Sequence, residues 1–330
     1  MKKQEDADMS GSRRIRTDLA LETTERFAEE NAEIRGVEVH EEYDEEKDVR
    51  TTVVKIVTEN GAKSMGRPQG TYITIEAPEL STPDEDYHRE ISEEISTHLR
   101  KLIDLKKEKS VLVVGLGNAA ITADALGPQV VDNLLMTRHI IKEYGLRGIK
   151  HEKMHRISGI APGVMAQTGM ETAEIVQGIV SETKPDVVVA IDALAARNTK
   201  RLNRTIQVTD TGINPGSGVG NHRHGLNEKS IGVPVIAIGV PTVVDAATIV
   251  NDTMFNLITA MNQSSELKTL GSTLGELNET EKYELIRELL SPNLNTMFVT
   301  PKDIDESVKR LSFTISEGLN IALIDHNIFA

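Results

Sequence analysis

Hydrophobic and polar positions along the chain fall into two regimes. Through about residue 108 the apolar residues are sparse and mostly alternate with polar ones. Residues 51–58 (TTVVKIVT) and 71–76 (TYITIE) have the β-branched alternation of short strands. Between them, 61–70 carries three Gly and a Pro and reads as a loop. Ile91, Ile95, Leu99, Leu102 and Ile103 recur at helical spacing and predict an amphipathic helix over 90–107. The acidic run 29–48 (EENAEIRGVEVHEEYDEEKD) reads as a solvated, partly mobile face. These N-terminal pieces form either a small β subdomain or an edge extension of a larger sheet.

From Val111 the pattern changes. Residues 111–114 (VLVV), 187–191 (VVVAI) and 233–238 (VPVIAI) are apolar runs without alternation, as in strands buried on both faces, with further strands near 153–157 and 205–208. Gly127–Pro128 opens a helix expected to reach about His139, since Pro is tolerated in a first turn. Thr168 to Glu171 reads as a capping box ahead of Ile175, Val176, Ile179 and Val180. Thr242 to Asp245, Asn278 to Glu281 and Thr300 to Asp303 start three more amphipathic helices. The alternation predicts an α/β fold, a three-layer αβα sandwich around a mostly parallel sheet, with a small N-terminal β-containing extension.

Composition narrows the chemistry. The 330 residues hold 37 Lys and Arg against 51 Asp and Glu, a formal net charge of −14. That balance opposes a nucleic-acid partner, which calls for a basic footprint. Aromatics at 3%, with no Trp, also argue against a base-stacking platform. The absence of Cys removes disulfides, thiolate metal ligands and a thiol nucleophile. The polar N-terminus lacks the apolar segment of a signal peptide, and the most apolar stretch, 233–244, is short and interrupted by Pro234 and Pro241. A soluble, cytoplasmic protein with no membrane partner is expected.

In open α/β sheets, ligands bind beyond the carboxyl ends of the strands. Four polar segments follow such ends. Gly115, Gly117 and Ala120 fit a weak G-x-G-x-x-A dinucleotide fingerprint, and also fit glycines that let the backbone turn tightly. On its own, Asp124 in the same loop reads first as a capping or turn aspartate. Asp192, directly after five apolar residues, is either an Asx-turn residue or a site carboxylate. The Gly-rich loop 208–224 holds Asp210, His222 and His224; it is no Walker A loop, and a solvated His-x-His reads ahead of a ligand pair. Gln167 and Thr168 precede a helix whose N–H groups could hold a carbonyl, or simply cap it. If the strands before Asp124 and Asp192 are neighbours, the two carboxylates face one crevice. Sharing a proton, they suit hydrolysis by an activated water. Two other readings stay open: a metallopeptidase using both aspartates with His222 or His224, and a non-catalytic nucleotide-binding module.

The segments VLVVGLGN, TADALGP, GVMAQTGMETAEIV, KPDVVVAIDALAAR, TIQVTDTGINPGSGVGN and IGVPVIAIGVPTVVDAATIV together resemble the germination proteases of endospore-forming bacteria, over roughly 13–326. The resemblance implies an atypical aspartic endopeptidase with a fold similar to the hydrogenase-maturation proteases. It implies substrates that are small acid-soluble proteins coating spore DNA, a self-processing zymogen in the spore cytoplasm, and a homotetramer. The family's catalytic aspartates fall on Asp124 and Asp192, with Asn118, Gln167, Thr168 and Asp210 as candidate binding or supporting residues. Hydrogenase-maturation proteases hold a metal through Glu, Asp and His. Here Asp124 replaces the Glu and no His clearly takes the third role, so no metal or other cofactor is expected. Family cleavage sites resemble Thr-Glu-(Ile/Phe/Leu)-Ala, cut after the acid, and Thr17-Asp-Leu-Ala20 is a close match. A cut between Asp18 and Leu19 is therefore expected. It would divide the chain into a propeptide, 1–18, and a catalytic domain, 19–330, with an extension over 19–108 and a core over 109–330.

Overall fold

The computed structural model describes residues 18–29, 34–148, 154–215, 224–264 and 297–324, with 266–269, 272, 286 and 288. The helix expected after Asn278, His222 and part of the Gly-rich loop lie outside the described residues.

The strands are β1 (Val37–Asp44), β2 (Val49–Ile56), β3 (Gly70–Glu76), β4 (Ser110–Gly115), β5 (Arg156–Ile160), β6 (Val187–Ala196), β7 (Thr205–Thr209), β8 (Val235–Asp245) and β9 (Phe298–Val299). They form one sheet in the order β1-β2-β3-β7-β8-β6-β4-β5, with β9 beside the end of β8. The apolar runs of the sequence make its parallel part, β8-β6-β4-β5. The other pairings are antiparallel, so the sheet is mixed rather than mostly parallel. Two features cause this: within the core β7 and β9 run antiparallel to β8, and the N-terminal segment continues the main sheet through β3 on β7 instead of folding apart.

The helices are α1 (Ala20–Glu29), α2 (Glu59–Met65), α3 (Glu85–Leu102), α4 (Leu126–Asp132), α5 (Arg138–Gly148), α6 (Met165–Thr168), α7 (Thr172–Thr183), α8 (Glu228–Ile231), α9 (Ala246–Gln263) and α10 (Ile304–Leu323). Side chains alternate across each strand. Val113, Val189, Ile191 and Ile238 therefore face α3, α4 and α10, while Val114, Val188 and Ala190 face α7 and α8. On that second side, α1 covers the antiparallel extension, with Ala20 against Val54, Ile56 and Tyr72. Helices on both faces of the sheet make the αβα arrangement.

Three local readings change. Residues 37–44 of the acidic run are an exposed edge strand whose carboxylates discourage further pairing. The expected loop after residue 60 contains α2, capped by the Thr58 hydroxyl and ended by Gly66 at φ 64°. The helix opened by Gly127–Pro128 stops at Asp132, because the chain turns to bond its neighbours. There Leu135 N–H donates to Asn320 Oδ1 at 3.1 Å, and Thr137 N–H to the Ile157 carbonyl at 3.1 Å.

Candidate active site

A cleft of about 1040 Å³ opens on the α7 side of the sheet, where the parallel strands meet the antiparallel ones. Its floor is set by strand register. Asp192 lies opposite Gly239 on β8, and Gly239 lies opposite Gln207 on β7. β6 runs on through Asp192 to Ala196, with a register shift between Leu194 and Ala195. Ile191 points into the α3–α10 core, so alternation turns Asp192 to the cleft face. Asp192 is only 5% exposed there, and its Oδ1 accepts from Ala193 N–H at 3.0 Å.

Asp124 reaches the same cleft from the loop after β4. Leu116 N–H donates to the Ile191 carbonyl at 2.8 Å, which ties the loop to β6 beside Asp192. Asn118 N–H donates to Asp124 Oδ2 at 2.8 Å and to its carbonyl at 3.1 Å, closing the loop on itself. Gly117, at φ 108°, permits this, because a Cβ there would collide with the Asp124 carbonyl. On the far side, the buried Thr242 hydroxyl of β8 donates to the Ala123 carbonyl at 2.7 Å. The strand neighbours β4 and β6, with β8 beyond, thus bring Asp124 and Asp192 to one crevice.

The other sequence candidates divide. Asn118 Oδ1 accepts from Gln167 Nε2 at 2.8 Å and from Ala120 N–H at 3.0 Å, so both amides brace the Asp124 loop. Gln167 does this from outside the cleft lining. Thr168 also lies outside that lining; its hydroxyl accepts from Met170 N–H at 3.2 Å, a local turn bond between α6 and α7. It is not the cap of α7, a place taken by Glu171 with Glu174. Asp210 lines the cleft, and its Oδ1 accepts from Thr71 N–H at 2.7 Å, joining β7 to β3. His224 is exposed and outside the lining. Among the described residues, no group of three or more His, Asp or Glu is placed to hold a metal. The Asn118 N–H, which a dinucleotide phosphate would need, is taken by Asp124.

Asp18 lines the cleft as well. Its Oδ2 accepts from Ala195 N–H at 3.1 Å, and its carbonyl accepts from Gln207 Nε2 at 3.1 Å. Ala20 N–H donates to Gln207 Oε1 at 2.7 Å. One buried side-chain amide therefore holds the chain on both sides of the Asp18–Leu19 peptide bond, and Leu19 is fully buried. Gln207 and Arg67, another lining residue, were not singled out from the sequence. A polar residue at an inward position of the 205–209 strand was the available signal for Gln207. Burial lowers the Arg67 guanidinium from its ordinary value, opposed by the nearby Tyr72, Asp18 and Glu22.

A family model described as germination protease matches residues 15–265 and 259–328. The germination protease of Caldanaerobacter subterraneus subsp. tengcongensis is 49% identical over 310 residues, 94% of each chain. That of Clostridium perfringens (strain ATCC 13124) is 47% identical over 311 residues, 94% of this chain and 95% of its own. That of Bacillus subtilis is 41% identical over 350 residues, 94% of this chain and 93% of its own. Among solved structures, a NiFe hydrogenase maturation protease HycI from Thermococcus kodakarensis is similar at a TM-score of 0.30 and 18% identity, covering 66% of this chain and 97% of that one. The chain belongs to the germination protease family.

Proposed function

We propose that this peptidase is an endopeptidase of the aspartic type, with Asp124 and Asp192 as its water-activating pair. It degrades the small acid-soluble proteins that coat spore DNA, and it is made as a zymogen that cuts itself between Asp18 and Leu19. The observation that carries the reading is the peptide bond held in the cleft. Asp18, whose bond to Leu19 is expected from the sequence to be cut, lines the same crevice as both aspartates, and Gln207 grips its carbonyl and the Ala20 N–H.

The chemistry needs one carboxylate ionised and one protonated. The ionised group takes a proton from water as the water oxygen bonds to the carbonyl carbon. The protonated group donates to the carbonyl oxygen, giving a tetrahedral diol. The first then gives its proton to the departing nitrogen as the C–N bond breaks, and the second recovers its proton from the diol. The net change is one water added across one peptide bond.

The family resemblance adds a homotetramer and a spore-core location. No helix among the described residues is long and apolar enough to cross a membrane. A net charge of −14 suits an enzyme that acts on DNA-coating proteins without gripping DNA.

Asp124→Asn and Asp192→Asn test the pair. Each is expected to keep the far-UV dichroism of the wild type, to retain residues 1–18 by intact mass, and to leave a purified small acid-soluble spore protein uncut. Full activity in either variant overturns the pair. Loss of wild-type activity on exhaustive chelation, restored by added metal, favours a metallopeptidase instead. A mature N-terminus other than Leu19 removes the processing site.

A further inference from the structure

The cleft holds an acidic side chain as well as a peptide bond. We infer that Arg67, the Ala195 backbone N–H and Gln207 form a subsite that selects an acidic residue on the acyl side of the scissile bond. The inference rests on the peptidase reading above and names how that site chooses its bond.

Register supplies the geometry. Gln207, Gly239 and Asp192 are in line across β7, β8 and β6. Two interstrand spacings, roughly 10 Å, separate the Gln207 and Asp192 backbones. The Gln207 side chain bridges part of that gap, and its Nε2 grips the Asp18 carbonyl. Ala195, three residues beyond Asp192 on the same strand, donates its N–H to the Asp18 carboxylate. Asp18 is therefore held between β7 and β6, its carbonyl by Gln207 and its side chain by Ala195.

Arg67 reaches the cleft from the turn that links α2 to β3. Its guanidinium lies 5.9 Å from the centroid of the Tyr72 ring and interacts electrostatically with Asp18. The neighbouring Glu22 also acts on Arg67 and is itself held by Arg201 and by the N–H groups of Arg197 and Asn198.

The donors explain the selectivity. Ala195 N–H and the guanidinium only donate, and an ionised carboxylate only accepts. An amide in its place would turn an NH2 group towards a donor, and a Lys or Arg would meet like charge. The carboxylate match is charge-assisted, and hydrogen bonds of that kind are the stronger ones. When residues through Asp18 depart, the Ala195 N–H, Gln207 Nε2 and Arg67 are released to meet the acidic residue of another substrate.

The test uses the mature chain beginning at Leu19, from which Asp18 has departed, and two peptides that differ only by Glu or Gln on the acyl side of the cut. Wild type is expected to prefer the Glu peptide in kcat/KM. Arg67→Gln is expected to lower kcat/KM on the Glu peptide roughly 10- to 100-fold, as for loss of a hydrogen bond to a charged group. The Gln peptide should change little, so the preference collapses. Arg67→Lys keeps the charge and is expected to keep a preference for Glu. Gln207→Leu should slow both peptides alike, since it grips backbone. A folded Arg67→Gln variant with the wild-type preference overturns the inference, and so does an Arg67→Lys variant that shows no preference. Failure of the wild type to cut either peptide would instead count against the peptidase reading.

Discussion

Arg201 offers the most searching test of how the chain after Asp18 is held. It is 6% exposed and meets three glutamates. Its Nη1 lies 3.4 Å from Glu22, its Nη2 2.5 Å from Glu25 and its Nε 3.0 Å from Glu76. Burial alone would lower the guanidinium, but the Glu25 hydrogen bonds and the charges of Glu22, Glu25 and Glu76 outweigh it and hold the group above its ordinary value. Glu22 and Glu25 belong to α1, Glu76 to β3, and Arg201 follows β6. The cluster thus fastens α1 just downstream of Asp18.

Exposure decides which partner matters. The Glu22 side chain is 3% exposed, whereas that of Glu25 is 46% exposed. Removing one member of a buried ion pair costs about 3–5 kcal/mol, because the other charge stays buried and uncompensated. Arg201→Gln should lose about that much, and Glu25→Gln under about 1 kcal/mol, as for a surface pair. Urea unfolding followed by circular dichroism reads both values. Limited proteolysis of α1 shows whether the loss is local. If Arg201→Gln unfolds within about 1 kcal/mol of wild type, the backbone N–H groups of Arg197 and Asn198 suffice for Glu22, and the reasoning fails.

Two further outcomes follow from buried groups. Thr242→Val removes the bond to the Ala123 carbonyl while keeping the side-chain shape; it should cost about 1–2 kcal/mol and lower kcat/KM, because Asp124 is the next residue. A melting-temperature drop with unchanged kcat/KM would show that β8 does not position the loop. His88 and His155 are both lowered from 6.5, first by burial, so each is neutral when folded. The unfolded chain then binds more protons just below pH 6.5, and stability rises with pH there. Their contribution is present above about pH 6.5 and is lost as pH falls through their folded values. His155 Nδ1 accepts from Lys109 N–H at 3.0 Å, which requires the neutral ring. His155→Gln should therefore flatten the acid limb of urea-unfolding free energy between pH 7 and 5; an unchanged slope sinks the assignment.

What the sequence revealed follows the physics of burial. Strands buried on both faces need apolar runs, so β4, β6 and β8 were legible from Val111, Val187 and Val235 onwards. Asp192 stood out because it interrupts such a run. β1 was not legible, because the alternation of Val37, Val39 and Tyr43 is broken by Glu41 and lies inside an acidic run, on an edge strand that stays exposed. The break after Asp132 was hidden too, since its cause is the distant Asn320 and Ile157. Gln207 and Arg67 escaped for a related reason. A polar residue in a strand and an arginine after a helix-ending glycine acquire meaning only when the fold brings Asp18 to them.

β8 pairs in parallel with β6 on one side and antiparallel with β7 on the other, and β3 attaches beyond β7. Without β3 and the turn before it, Asp124 and Asp192 would sit at a crevice with no facing wall. Arg67, Tyr72 and the Asp210 bond to Thr71 all lie on that wall. The parallel half therefore supplies the two candidate catalytic carboxylates and the Ala195 N–H, and the antiparallel half supplies Gln207 and Arg67 beside them. A change confined to the extension should alter which bond is cut more than whether bonds are cut. Mutations at the Asp124 loop should do the reverse.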